Sequence, residues 1–403
     1  MTERTNHIVT FKNKNKRKDK KNDKVDIFRD AIKSPVHVVE ATSVRKLPTY
    51  VPMENLAIDI NEYETPIITA KLTEDDVASL KKNPNVEAVE SDGKYYALPV
   101  VEGQLSLQAE TIPWGIDRIK APQAWDITKG KGIKIAVCDT GIDYTHPNLS
   151  PNYRDGVSFV PTEKDPKDYN GHGTHVAGTI GAAMTGSAGV IGVAPSAYLY
   201  AVKVLSSDRS GQWSWLIAGI HWCIKNGIQI INMSLGLPSD FPPPPTALER
   251  MCNLAWNRGV VLVASAGNDG KDVGFPAKYQ SIMAVSAIDS VNMIAEFSSR
   301  GPKIELCAPG VNILSTLPGN RYGTQSGTSM ACPHVTGAVA LSLSSHRWAP
   351  SDIAQNVAIR RLLVRTANNF GRPDRNEQYG FGIVDAEEAS FSLEAPPIVQ
   401  GVP

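Results

Sequence analysis

The chain has 403 residues, 42% of them hydrophobic and 20% charged. That is ordinary globular composition and more than one unit of about 150 residues needs, so at least two folding units are expected. Its 41 basic and 41 acidic residues balance, which excludes a whole-chain field that would draw it to nucleic acid or to an anionic membrane surface. No window approaches about 18 consecutive apolar residues, so no membrane span is expected.

The opening stretch, MTERTNHIVTFKNKNKRK, is basic but lacks the apolar run of roughly 7 to 15 residues that an export leader requires. As written, the chain is expected to act inside the cell, or to be secreted if its true start lies upstream. Lys12 to Lys24 form the charge run KNKNKRKDKKNDK. No aromatic residue interleaves the lysines to stack on bases, so a solvated helix or loop is expected there and no nucleic-acid partner. Short amphipathic segments then alternate: HIVTF, VDIFRDAIKS, VHVVEATSV, LAIDINEYETPIITAKL, TEDDVASLKKN and VEAVES. Thr73 followed by Glu74, Asp75 and Asp76 starts a helix well, since a hydroxyl caps free N–H groups and acids suit the dipole. This pattern predicts a small α+β domain over residues 1–98, followed by a linker over 99–108.

From residue 109 to 390 apolar, β-rich runs recur with helical stretches between most of them: IKIAVCD, AYLYAVKVL, IQIINMSLG, VVLVASAGN, IMAVSAID and IELCAPG. Continuous hydrophobicity marks strands buried on both faces, so an α/β domain is predicted, a mostly parallel sheet with helices on both faces. Residues 391–403 are unpatterned. Cys138, Cys223, Cys252, Cys307 and Cys332 show no C-x-x-C spacing, which fits reduced, buried thiols and neither a disulfide framework nor a zinc site.

In an open α/β sheet functional groups collect where strands end. IKIAVCD ends on Asp139 before the turn Thr140-Gly141; NGHGTHVAG sets His172 between two glycines ahead of an apolar helix; SGTSMACPHVTGAVAL puts Ser329 on a Gly-containing loop that feeds a helix. Each alone reads as a cap or turn residue. Together they fit one mechanism, in which an imidazole takes the proton of a serine hydroxyl and a carboxylate holds the imidazole in the right tautomer. His175 makes an H-x-x-H pair with His172, but no third ligand stands at a matching spacing, and a structural role is expected for it.

The order Asp, His, Ser, with DTGID at 139–143, GHGTHVAG at 171–178 and GTSMACPHVTGA at 327–338, resembles the subtilisin family of serine endopeptidases from about Ala109 to Ala389. The resemblance implies hydrolysis of protein or peptide substrates through an acyl-enzyme, with Asp139, His172 and Ser329 catalytic and Asn268 in the oxyanion hole. It implies that Ser210 and Gly211 on one side, and Ser234, Leu235 and Gly236 on the other, bind an extended substrate by its backbone. Ser265, Ala266, Gly267 and Gly274 would line a P1 pocket for bulky apolar residues, and Trp213 and Leu216 would floor a P4 pocket. The first hundred residues resemble the family's inhibitory propeptide, a small ferredoxin-like α+β domain that acts as an intramolecular inhibitor and is removed autocatalytically. Leu98 would then occupy P1 and Tyr95 P4.

Two departures stand out. Residue 99 is proline; an X-Pro bond is a poor protease substrate, so the first cut is expected between Val100 and Gln108, after Leu105 or Leu107. The family's structural calcium would fall on Glu110, Asn148, Met184, Gly186, Ala188 and Val190, where Asn148 and Gly186 replace the usual aspartate and asparagine. Chemistry would need no cofactor, and the enzyme would work as a monomer. A dinucleotide-binding protein would also give a parallel sheet, but IKIAVCDTGID has one glycine where that function needs a Gly-rich turn.

Overall fold

The computed structural model describes residues 3–13, 24–32, 38–40, 49–60, 62, 64–97, 101–105, 107–345, 354–369 and 375–391. The first domain consists of β1 (Thr5–Phe11), α1 (Lys24–Ala31), β2 (Val39–Glu40), β3 (Leu56–Ile58), β4 (Ile67–Leu72), α2 (Glu74–Lys82) and β5 (Val86–Ser91). Its sheet runs β2-β3-β4-β1-β5, with β1 antiparallel to both neighbours. The two-residue period of a strand decides what each face buries. Val9 and Phe11 of β1 meet Val25 and Phe28 of α1 and Leu80 of α2 in a core private to this domain. Ile8, with Ile58 and Ile67, faces the other way into a core shared with the larger domain. The predicted helix start is a capping box: Thr73 Oγ1 accepts the Asp76 N–H at 3.2 Å, and the Asp76 carboxylate accepts the Thr73 N–H at 3.2 Å.

Two strands follow, β6 (Lys94–Ala97) and β7 (Val101–Leu105). The larger domain then contributes β8 (Glu110–Thr111), α3 (Trp114–Arg118), α4 (Ala121–Ala124), β9 (Lys134–Asp139), β10 (Tyr153–Ser158), α5 (His172–Gly181), β11 (Gly189–Val190), β12 (Tyr198–Lys203) and β13 (Ser210–Gln212). Next come α6 (Trp213–Lys225), β14 (Ile230–Met233), β15 (Leu235–Gly236), α7 (Thr246–Asn257), β16 (Val261–Ser265), β17 (Ile282–Ile288) and β18 (Ile304–Pro309). The last are β19 (Ile313–Leu317), β20 (Arg321–Ser326), α8 (Thr328–Ser345), α9 (Gln355–Thr366) and α10 (Ala386–Phe391).

The central sheet has seven strands in the order β10-β12-β9-β14-β16-β17-β18, every pair parallel. Both faces are covered, which is why the strands read as unbroken apolar runs. Ile135 and Val137 of β9 pack with Val176 and Ile180 of α5 and Val335 and Val339 of α8. The alternate residues Ala136 and Cys138 pack with Ile217 of α6 and Leu248 and Met251 of α7. Among the described residues no helix is long and apolar enough to cross a membrane.

β6 lies antiparallel between β13 and β15, with Tyr95 opposite Gly211, Tyr96 opposite both Ser210 and Gly236, and Ala97 opposite Leu235. The stretch expected as a linker holds a strand: β7 pairs antiparallel with β20 from Val101–Ser326 to Leu105–Tyr322. β20 otherwise leaves one edge of its N–H and C=O groups unpaired, and an extended chain passing beside it satisfies them. Leu98, Pro99 and Val100 lie outside the described residues.

Candidate active site

Three strands deliver the site at their C-terminal ends. β9 ends on Asp139, β14 runs into Ser234, and β16 ends on Ser265 just before Asn268. Asp139 Oδ1 accepts the Thr140 N–H at 2.7 Å and His172 Nδ1–H at 2.8 Å, both side chains being fully buried. With a carboxylate as its partner, Nδ1 carries the proton, and Nε2 is left as the acceptor. Nε2 is buried and has no hydrogen-bond partner among the described residues. His172 opens α5 directly after Gly171, whose φ of 114° lies in the left-handed region that favours glycine.

α8 packs beside α5 and carries Ser329 in its first turn, where helix N–H groups are unpaired and the dipole favours negative charge. Ser329 Oγ donates to the Ser234 carbonyl at 3.2 Å, while Ser234 Oγ donates to the Ser329 carbonyl at 2.9 Å. Asn268 Oδ1 accepts from the Thr328 N–H at 2.9 Å and from Thr328 Oγ1 at 2.7 Å. Two donors on that oxygen fix the amide, so its Nδ2 end faces the opposite way.

The residues around this cluster escaped the sequence reading. Asp168 is buried and accepts five hydrogen bonds: from Thr140 Oγ1, the N–H groups of Asn170 and Gly171, and both the N–H and Oγ1 of Thr174, at 2.6 to 2.9 Å. Thr140 Oγ1 in turn accepts the Gly173 N–H at 2.9 Å, so the loop that carries His172 is laced to the turn that carries Asp139. Lys203 is fully buried; its ammonium donates to the Thr140 carbonyl and pairs with Glu163 at 2.9 Å. Burial pushes the Glu163 carboxyl up, but the Ser207 N–H and Lys203 together hold it below the ordinary carboxylate range. An Asp shortly before a His, and a Lys inside an apolar strand, were the signals available; each was common enough to pass unremarked. His175 Nε2 engages the carbonyls of Ile313 at 2.9 Å and Gly323 at 3.2 Å. Burial lowers its pKa to about 3, so it is neutral and structural, as expected.

The residues expected to bind substrate include the two edges that flank β6. Ser210 and Gly211 form one edge, and Ser234, Leu235 and Gly236 lie along the other. Tyr95 of β6 is fully buried, stacks on Trp213 at 4.6 Å between ring centres, shares a core with Leu216, and donates its hydroxyl to the Val204 carbonyl at 2.9 Å. Beside them Gly274 N–H donates to Ala266 O at 2.9 Å. A Cβ at Gly274 would sit 2.1 Å from the Leu237 carbonyl, and one at Gly236 would sit 2.4 Å from the Phe275 carbonyl, so neither position admits a side chain.

The first domain also closes two helix ends. Asp92 accepts the Ser214 N–H at 3.0 Å and its hydroxyl at 2.6 Å, at the start of α6; Glu90 accepts the Thr246 N–H at 3.1 Å and its hydroxyl at 2.9 Å, at the start of α7. Carboxylates there satisfy free N–H groups and oppose the positive dipole end.

Two of the side chains expected to hold calcium, Glu110 and Asn148, are bonded to protein groups here. Calcium takes about six to eight oxygens and gains affinity with ligand charge. Glu110, the one carboxylate of the set, accepts the N–H groups of Thr185 at 2.7 Å and Gly186 at 3.0 Å, both on Oε1. Asn148 Oδ1 accepts the Tyr322 phenol at 2.7 Å, its Nδ2 donates to the Ala183 carbonyl at 3.1 Å, and the Ala188 carbonyl also lies 3.3 Å from that phenol. Gly186 offers no side chain, and Met184, Ala188 and Val190 offer only main-chain carbonyls. Among the described residues no cluster of three or more His, Cys, Asp or Glu could hold a metal. The melting temperature is therefore expected to be the same in millimolar calcium and in excess EGTA. A stabilisation of several degrees by calcium, measured calorimetrically, would contradict this.

All five cysteines are free and buried. Burial pushes the Cys332 thiol up to about 12, which leaves almost no thiolate next to Ser329 at neutral pH.

Comparison with known proteins gives the family. A family model described as the subtilase family matches residues 130–382, and one described as peptidase inhibitor I9 matches residues 6–98. The chain is 46% identical to subtilisin E of Bacillus subtilis (strain 168) over 329 residues, 80% of each chain. It is 44% identical to an alkaline protease of Shouchella clausii over 335 residues, 82% of this chain and 81% of that one. It is 48% identical to subtilisin of Bacillus pumilus over 290 residues, 70% of this chain and all of the other.

Proposed function

The chain belongs to the subtilase family of serine endopeptidases and carries an I9-type inhibitor domain, and from that premise we propose that Asp139, His172 and Ser329 are its catalytic triad. The observation that carries this reading is the buried pair of His172 Nδ1 and Asp139 Oδ1 at 2.8 Å, next to a cleft already crossed by an extended strand. Ser329 Oγ turns from the Ser234 carbonyl to His172 Nε2, gives up its proton and attacks the scissile carbonyl. Asp139 stabilises the imidazolium. The oxyanion is held by Asn268 Nδ2 and the Ser329 N–H. Nε2–H then protonates the leaving amine, and water hydrolyses the acyl-enzyme by the same route. Small side chains and glycine at 265–267 and 274 leave a P1 depression suited to bulky apolar residues.

The proposed zymogen consists of an inhibitor domain (1–98), a processing segment (99–108), a monomeric catalytic domain (109–390) and a tail (391–403). Tyr95 in the Trp213 pocket fixes the register of β6. In an extended chain position 98 is then P1, although Pro99 follows it. Leu107, one alternative, packs near a cluster of Ala182, Val190 and Tyr322. Leu105, the other, belongs to β7 on the β20 edge. This arrangement favours a slow cut beside Pro99 over a cut further on.

The test is Asn268→Ala. Loss of the oxyanion donor lowers kcat by about a hundred- to a thousandfold with KM little changed, a magnitude carried over from subtilisin, the relative in which it is established. A fluorophosphonate probe still labels Ser329 in that variant. A loss confined to KM, or labelling at another serine, would overturn the assignment.

A further inference from the structure

Past the pocket filled by Tyr95 lies a groove of about 570 Å³, walled on one side by residues 90–94 of the inhibitor domain and on the other by Trp213, Leu237, Phe241, Phe275, Tyr279 and the run Pro242–Pro245, the side that remains once the inhibitor domain is gone. Phe241 is half exposed at its rim, one of eight exposed large apolar side chains among the described residues. The loop that carries it is rooted: Leu237 and Phe275 exchange backbone hydrogen bonds at 2.9 and 3.2 Å, the Phe241 N–H bonds Pro238 O at 3.2 Å, and Asp240 pairs with Lys271 at 2.6 Å. Four successive prolines have fixed φ and no N–H to donate, so they form a stiff apolar wall that does not pair with a passing strand.

The direction of β6 shows what would enter. Side chains alternate along a strand, so Gly93, two residues before Tyr95, faces the same way as Tyr95. The Trp213 N–H donates to the Gly93 carbonyl at 3.2 Å, which extends the strand register to that position. A Cβ built on Gly93 meets Trp213 Nε1 at 3.5 Å and Cδ1 at 3.6 Å, ordinary contact distances. A side chain there would lie against the edge of the indole and continue into the groove, whereas the inhibitor domain presents a glycine.

We propose that this groove is a P6 subsite, specific for a large apolar side chain two residues before the one in the Trp213 pocket, with Phe241 and the Pro242–Pro245 wall determining that preference. It rests on the reading of β6 as a substrate mimic. The test uses processed enzyme freed of its inhibitor domain and peptides identical from P5 onward with Gly or Phe at P6, beside a shorter peptide ending at P4, with the cut bond identified by mass. Partial burial of one phenyl ring predicts a kcat/KM about five- to tenfold higher for Phe than for Gly. Phe241→Ala brings that ratio close to one and leaves the short peptide unchanged. Equal rates for the two long peptides in the wild type, or a ratio that survives Phe241→Ala, would overturn the subsite while leaving the protease reading intact. No cleavage of the short peptide would overturn both.

Discussion

Ser329→Ala lowers kcat by about a millionfold, the magnitude carried over from subtilisin, because the side chains of such a triad act as a unit and the remaining groups supply only binding and oxyanion stabilisation. The fold should tolerate the change. The side chain is fully buried, but its one hydrogen bond among the described residues goes to the Ser234 carbonyl, so the loss in stability is about 1 kcal/mol. The variant should therefore accumulate as an uncut chain of 403 residues, read by intact mass, with a cooperative melting transition and no casein hydrolysis. Appearance of the two processed fragments from pure variant protein would sink the assignment of Ser329 and of self-processing together.

Asp139→Asn comes next, with kcat lower by about ten thousandfold. One carboxylate oxygen serves both the Thr140 N–H and His172 Nδ1–H, and the other is buried without a partner among the described residues. An amide therefore has two poor placements. With its NH2 toward His172 it confronts two N–H donors and drives the imidazole proton to Nε2, the wrong nitrogen. With its oxygen there, an NH2 is buried unpaired, which costs roughly 1–3 kcal/mol, and no negative charge remains to stabilise the imidazolium. Stopped-assay kcat and KM decide the matter. A loss of less than tenfold in kcat would show that Asp139 does not orient the base.

The groups proposed to react were legible because each sits in a short local pattern: an apolar strand ending on Asp139, a glycine-flanked His172 opening a helix, a Ser329 loop running into α8. The parallel sheet was legible for a similar reason, since a strand buried on both faces leaves an unbroken apolar run. What escaped notice depends on partners far apart in the chain. Glu90 and Asp92 carry no local sign of their partners, yet they close α7 and α6 of the other domain. Residues 99–108 showed no clear period, yet β7 is ordered by an edge more than two hundred residues away. Glu110 read as an added calcium ligand, because only the folded loop shows its carboxylate turned to the N–H groups of Thr185 and Gly186. Asp168 is invisible as a hub until its five donors converge.

In the zymogen proposed above, the passage of one chain beside β13 and β15 as β6 and beside β20 as β7 makes latency a matter of tethering. A segment joined to its site at both ends competes at an effective concentration of order millimolar, so a foreign protein at micromolar levels is shut out unless it binds about a thousandfold better. Once a single peptide bond between the two strands is broken, that advantage falls to whatever the separated inhibitor domain can hold by affinity alone. Dilution, which does nothing to the uncut chain, then becomes an activating condition.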